Sequence, residues 1–309
     1  MSLYEKKTLN FFWMVDMKPI ITIDVGGTTI KHALFNKSNQ TLTNKGVVDT
    51  PKNLATFYAV IEKIVKKYDR TKIAGVALSI PGAVNQQTGI IGGISALPYI
   101  HNFPIKAALE KRLNLPVSME NDANCAALAE VNSGMAVNMQ NIVMLVIGTG
   151  VGGAVVINRQ LVHGQHLLGG EFGMMLGQTD QRLSLVGTAV RMAQHYNQAF
   201  KTNYTGKEIL QMAQNGDATA QKYALRLYDN LARAIFNLQF VVDPEAFIIG
   251  GGVSGNQDFI DNLNEAAQRL VQRVADIKLV PKIIPAYYHN DANLIGAALN
   301  FKIKKTVLI

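Results

Sequence analysis

Apolar residues recur along this chain in two rhythms. Short β-branched runs bounded by glycine or proline predict strands, and stretches with apolar positions three and four apart predict helices. Ile20–Val25 and Ile30–Phe35 read as strands around Gly26-Gly27. Leu54, Phe57, Tyr58, Ile61, Ile64, Val65 and Tyr68 mark one face of an amphipathic helix. Ile73–Ile80 is a buried strand that stops at Pro81-Gly82. Ile105–Leu113 predicts a helix, Val117–Glu120 a strand and Asn121–Val131 a further helix. Ile142–Ile147 and Ala154–Ile157 predict strands that flank a glycine-rich turn. After Glu171 the texture becomes helical, through Leu185–Phe200, Gly206–Gln214 and Thr219–Phe240. Ala246–Ile249 is a strand that runs into Gly250-Gly251-Gly252. A helix over Phe259–Ala275, a short strand at Lys282–Pro285 and a helix over Ala292–Phe301 complete the pattern. Strands alternate with helices throughout, so the class is α/β.

Composition narrows the function classes. A chain of 309 residues exceeds what one core usually serves, which predicts two lobes. With 48% hydrophobic and 17% charged residues it can bury a large core. Its single cysteine, Cys125, excludes an internal disulfide and a multi-cysteine zinc site, and suits a reducing cytoplasm. The net charge of +8 is spread along the chain, with dense runs only at Lys63–Lys67 and Lys302–Lys305. That balance suits an enzyme for polyanionic nucleotides, and nucleic acid is not expected as a partner. Nor is a membrane, because no apolar run approaches about 18 residues. Residues 1–17 carry an apolar patch at Phe11, Phe12, Trp13, Met14 and Val15, too short for a signal-peptide core. They read as a leader outside the fold, which begins near Lys18.

Candidate chemistry sits in the turns. Ile23-Asp24-Val25-Gly26-Gly27-Thr28-Thr29-Ile30 resembles Ile147-Gly148-Thr149-Gly150-Val151-Gly152-Gly153-Ala154, each a strand, a glycine-threonine turn and a strand. Such turns converge backbone N–H groups on an anion, and threonine hydroxyls add donors. Each stretch alone is equally an ordinary hairpin turn. Gly148-x-Gly150-x-x-Gly153 matches the dinucleotide spacing, but that motif must open a helix and Ala154–Ile157 reads as a strand. No P-loop is present. The third glycine site, Gly250-Gly251-Gly252-Val253-Ser254, lies between strand and helix and allows close approach of a flat or anionic ligand.

Glu120-Asn121-Asp122-Ala123-Asn124 falls where a strand hands over to a helix. Asp122 lies at or next to the N-cap, where the helix dipole favours an ionised carboxylate. A kinase of hydroxyl groups needs such an acceptor to orient the hydroxyl and take its proton. Plain capping explains the segment equally well by itself. Ser79 and Gly82, at the end of a strand, are a sugar contact or a simple turn. Tyr99 and His101 line a pocket or pack.

Together these segments resemble the ROK family of bacterial sugar kinases and repressors, over nearly the whole chain from Ile20. The resemblance implies the actin-like ATPase (ribonuclease H-like) fold, with two lobes around a nucleotide cleft. The lobes would be 18–122, completed by about 290–309, and 123–289. It implies phosphate contacts from Asp24, Gly26, Gly27, Thr28, Thr29 and Lys31 in the first turn, and Gly148, Thr149, Gly150 and Gly152 in the second. The adenosine side would be Asp243–Ser254, with Gly251 and Gly252 against the nucleotide. Asp122 would be the catalytic base, and Asn121, Glu171, Ser79, Gly82 and Met174 would face the sugar. The family's Gly-Glu-x-Gly-His segment stands here as Gly170-Glu171-Phe172-Gly173-Met174, and no cysteine follows in Met175–Arg191. The resemblance therefore implies a zinc-free branch in which Leu185–Ala189 packs by apolar contacts. Val190 stands where the family has a second sugar-binding glutamate.

The expected reaction is transfer of the ATP γ-phosphoryl to a hydroxyl of a hexose or β-glucoside. Mg²⁺ would be held through waters on Asp24. N-acetylmannosamine, fructose and glucose are the alternative substrates. A homodimer is implied by the family alone. A repressor would carry a helix-turn-helix before the core, and 1–17 is too short for one. A non-catalytic sugar sensor is the remaining alternative.

Overall fold

The computed structural model describes residues 18–177, 180–274, 276 and 278–301. The leader expected at 1–17 and the basic run at 302–305 lie outside the described residues. Two compact units divide the chain, one within Met1–Ala129 and Asp291–Ile309, the other within Glu130–Asn290.

The first unit is built on a five-stranded sheet. Its strands are β1 (Ile20–Val25), β2 (Thr29–Asn36), β3 (Thr41–Asp49), β4 (Gly75–Ile80) and β7 (Val117–Asn121), in the order β3-β2-β1-β4-β7. β1 pairs antiparallel with β2 and parallel with β4, and β4 runs parallel to β7. β1 and β4 are buried at every position, as central strands of a parallel arrangement are. β3 is exposed at most positions and its polar sequence gave no apolar alternation, so the pattern did not predict it. A small hairpin, β5 (Ala83–Asn85) with β6 (Ile90–Gly92), also lay below the pattern's reach. Helix α1 (Leu54–Val65) buries Phe57, Tyr58, Ile61, Ile64 and Val65, the face its spacing predicted. Asn53 caps it by accepting from Thr56 N at 3.0 Å. Helix α2 (Ile105–Leu113) joins the same core through Ile105, Leu109 and Leu113. Helix α3 (Asp122–Ser133) follows β7 directly.

The second unit repeats the plan. Its sheet holds β8 (Ile142–Ile147), β9 (Val151–Ile157), β10 (Gln160–Leu161), β11 (Ala246–Gly251) and β12 (Ile283–Pro285), in the order β10-β9-β8-β11-β12. The first two neighbours of each sheet are antiparallel and the last two are parallel in both units. The sequence echo between the two glycine turns is thus an echo of whole sheet topology. Helices α4 (Leu183–Val186), α5 (Ala189–Phe200), α6 (Gly206–Gln214), α7 (Ala218–Val242) and α8 (Gln257–Val274) cover this sheet. The helix expected over Leu185–Phe200 is two helices. They break at Gly187 and restart at Thr188, whose buried side chain accepts from Arg191 N at 3.1 Å. The last helix, α9 (Ala292–Asn300), belongs to the first unit and packs on β1 and β4. Among the described residues no helix is long and apolar enough to cross a membrane.

Candidate active site

In the first unit the parallel register lines up the carboxyl ends of β1, β4 and β7. Asp24 lies opposite Ser79, Ser79 opposite Glu120, and Ile80 opposite Asn121. In parallel sheets that edge is where ligands bind. Asp24 is nearly buried, at 7% exposure. Its Oδ1 accepts from Ser79 Oγ at 2.8 Å and from Asn293 Nδ2 at 3.0 Å. Its Oδ2 faces Lys31 Nζ at 4.0 Å. Two donors on one oxygen fix the carboxylate's direction and leave the other oxygen toward Lys31. Ser79 is fully buried, so its expected link to a ligand runs through Asp24. Asn293, brought in by α9, carried no sequence signal that pointed to Asp24.

The turn between β1 and β2 is held by its own backbone and by a strap. Gly26 N donates to Thr29 O at 3.0 Å, Thr50 N donates to Thr28 O at 2.9 Å, and Thr50 Oγ1 donates to Gly26 O at 2.7 Å. Gly27 and Thr28 are exposed at its tip.

At the β7–α3 corner the cap is Asn121, not Asp122. Asn121 Oδ1 accepts from Ala123 N at 2.9 Å and Asn124 N at 3.2 Å, the geometry of an N-cap. Asn121 Nδ2 donates to Gly82 O at 3.1 Å. Gly82 needs to be glycine, because φ is +106° and a Cβ would lie 2.8 Å from Ile91 Cγ2 and 2.9 Å from Gly92 O. With the cap supplied by its neighbour, Asp122 occupies the first helical position, partly exposed, and accepts from Ala123 N at 2.8 Å. There the helix dipole stabilises the ionised form. Glu120 is fully buried and braces the corner from behind. Its Oε1 accepts from Asn121 N at 2.8 Å and Asn124 Nδ2 at 2.9 Å, and its Oε2 from Gln86 Nε2. Burial, then the charges of Glu120, Asp24 and Asp122, push the Cys125 thiol well above its ordinary range. These carboxylates therefore surround one buried, neutral thiol. Tyr99 and His101 pack: the Tyr99 hydroxyl donates to Pro51 O, and His101 Nε2 meets Ser95 Oγ at 2.7 Å.

In the second unit the turn Gly148–Gly150 is closed by Gly148 N donating to Gly150 O at 2.9 Å, and Thr149 is exposed. A strand, β9, follows it, which removes the dinucleotide reading. Gly152 pairs with Val146 inside the hairpin. Gly251 ends β11 opposite Ile147, and its carbonyl accepts from Ser254 N at 3.1 Å and Ser254 Oγ at 2.8 Å. Gly252 is exposed, with no atom within 4 Å of where a Cβ would stand. The turn and the third glycine site thus adjoin at the carboxyl ends of β8 and β11. Glu171 is exposed and opens a short helical turn, Phe172–Met174. Met174 is 58% exposed, with its Sδ 3.6 Å from Arg182 Nη1. Val190 is also exposed.

The loop that follows departs from the apolar packing expected of Leu185–Ala189. Leu183 is buried and its N donates to Met175 O at 2.7 Å. Ser184 Oγ accepts from Val151 N at 3.0 Å and donates to Val151 O at 3.3 Å. A serine among leucines and valines had no local pattern to announce it, since its partner lies 33 residues away.

Two α/β units with the same five-strand order, each with a glycine turn between its first two strands, make the actin-like ATPase fold. The ROK family pattern matches residues 20–304, and the chain belongs to the ROK family. A beta-glucoside kinase of Klebsiella pneumoniae is 32% identical over 294 residues, 91% of this chain and 95% of that protein. An N-acetyl-D-glucosamine kinase of Salmonella gallinarum is 28% identical over 300 residues, 89% of this chain and 96% of that one. The crystal structure of a ROK family protein from Streptococcus pneumoniae in complex with sucrose superposes with a TM-score of 0.83. It is 38% identical, over 91% of this chain and 97% of that one.

Proposed function

We propose that this chain is an ATP-dependent carbohydrate kinase that phosphorylates a hydroxyl of a hexose or β-glucoside, with Asp122 as general base. The observation that carries the reading is the division of tasks at the β7–α3 corner. Asn121 takes over the cap, Glu120 fixes the corner, and Asp122 keeps a partly exposed carboxylate at the helix start. That is a group placed to accept a proton, not to hold a helix. Because Asn121 Oδ1 is used by two N–H groups, its contribution to the sugar is its remaining amide N–H.

The γ-phosphoryl passes to the sugar oxygen as the sugar's proton passes to Asp122, and ADP leaves. The backbone N–H groups of Gly26–Thr29 and Gly148–Gly150 hold the phosphates, with Lys31 adding charge and Thr28 and Thr149 adding hydroxyls. Gly251 and Gly252 lie against the nucleoside, where the lack of a side chain permits close approach. Glu171 accepts from sugar hydroxyls, and exposed Met174 gives that side an apolar surface suited to a glycoside. Asp24 suits Mg²⁺: a lone carboxylate with one oxygen fixed by two donors would hold the ion through water, and the ion would neutralise phosphate charge. The chain works in the cytoplasm as a homodimer.

A panel of sugars tests the substrate. Coupled ADP release should be fastest with glucose or cellobiose. Turnover confined to N-acetylmannosamine or fructose sinks the substrate assignment, and sugar-independent behaviour throughout sinks the kinase.

A further inference from the structure

We infer that Ser184 is a positioning residue for the Gly148–Gly150 turn, acting on nucleotide affinity through the backbone of Val151. The inference rests on the kinase reading above. β8 and β9 pair up to Ile147 opposite Val151, the last pair before the turn. On its other side β9 pairs with β10 only at Val156 and Ile157. Beside Val151 that role falls to one hydroxyl. Ser184 Oγ accepts from Val151 N at 3.0 Å and donates to Val151 O at 3.3 Å. A hydroxyl has one proton to give and lone pairs to receive, so a single serine satisfies both groups. Val151 is 5% exposed, so water is a poor substitute for either bond.

The same oxygen abuts two other segments. It lies 3.2 Å from where a Cβ of Gly150 would stand and 2.2 Å from that of Gly173. Gly173 in turn presses on Val151, since its Cβ would lie 2.1 Å from Val151 O. The phosphate-side turn, the sugar-side segment Gly170–Met174 and α4 therefore meet around Ser184 with no room for another side chain. Ser184 itself is fixed. Leu183 beside it is buried and bonded to Met175 O, and Gly187 N closes the turn onto Leu183 O at 2.7 Å. The peptide planes that the hydroxyl holds are those next to the turn whose N–H groups face phosphate. Their direction, and so the convergence of those donors, depends on it.

Ser184→Ala and Ser184→Cys test this, the cysteine keeping the volume with a weak hydrogen bond. Calorimetric titration of ADP without sugar should show affinity about tenfold weaker in both variants, the loss of roughly one buried hydrogen-bond pair. The KM for ATP should rise in parallel while kcat stays within about threefold. Unchanged ADP affinity in folded Ser184→Ala overturns the inference. Hydrogen exchange serves a destabilised variant: faster exchange at Gly150 and Val151 with β11 amides unchanged supports it, and a uniform increase across the unit overturns it. A wild-type protein that binds ADP but phosphorylates no sugar refutes the kinase reading, and leaves the effect of Ser184 on ADP readable.

Discussion

The two glycine turns occupy the same place in the same five-strand plan, yet they are supported by opposite means. The first, between β1 and β2, follows a carboxylate. Asp24 is aimed by Ser79 and Asn293 and faced by Lys31. The second, between β8 and β9, has Ile147 and Gly148 at the matching positions and no charge of its own. It is held by close packing of Gly173 on Val151 and by the hydroxyl of Ser184. One copy of the module has become a charged site and the other a bare backbone cradle. The carboxylates of the candidate site, Asp24, Glu120 and Asp122, all lie in the first unit apart from Glu171. Proton transfer and metal chemistry are thereby assigned to one copy and phosphate donors to both.

Three substitutions and a pH series bear on that contrast. Asp122→Asn should lower kcat by about 10³-fold, the scale of losing a general base. Asp24→Asn should lower kcat/KM by about 10²-fold and raise the Mg²⁺ concentration needed for half-maximal rate. If instead it tolerates the change as the uncharged second turn does, the contrast fails. Gly173→Ala should act on the fold of the second unit. Its Cβ would stand 2.1 Å from Val151 O and 2.2 Å from Ser184 Oγ, so a loss of about 2–3 kcal/mol is expected in denaturant titration. The smallest effect concerns His32 on β2. It is buried, and burial followed by the charge of Lys67 lowers its pKa below 6.5. Below about pH 6.5 the unfolded chain therefore binds a proton that the folded chain refuses, and stability falls as pH falls. Melting curves at pH 7.5 and pH 5.5 should differ more for the wild type than for His32→Gln.

The sequence made much of this legible because the signals are local. A β-branched run ending in glycine, or a face of Phe57, Ile61 and Ile64, is written within one element. Asp122 could be singled out because a strand-to-helix corner has a readable pattern. What stayed hidden was partnership at long range. Asn293 reaches Asp24 across 269 residues, and Ser184 reaches Val151 across 33. Neither is unusual among its neighbours, and a hydrogen bond formed by folding leaves no period in the chain. The exposed edge strand β3 was missed for a different reason, since a strand with no buried face shows no alternation. The cap moved from Asp122 to Asn121 because both residue types cap helices well, and the choice is made by Gly82 O, which turns the Asn121 amide.

The assignment of Asp122 to chemistry, not to nucleotide binding, is tested most directly by the ADP affinity of Asp122→Asn in the same preparation that has lost turnover. The account predicts a dissociation constant for ADP equal to that of the wild type alongside a rate reduced about 10³-fold. A protein that keeps more than a few per cent of wild-type turnover, or that loses ADP binding together with its rate, contradicts it.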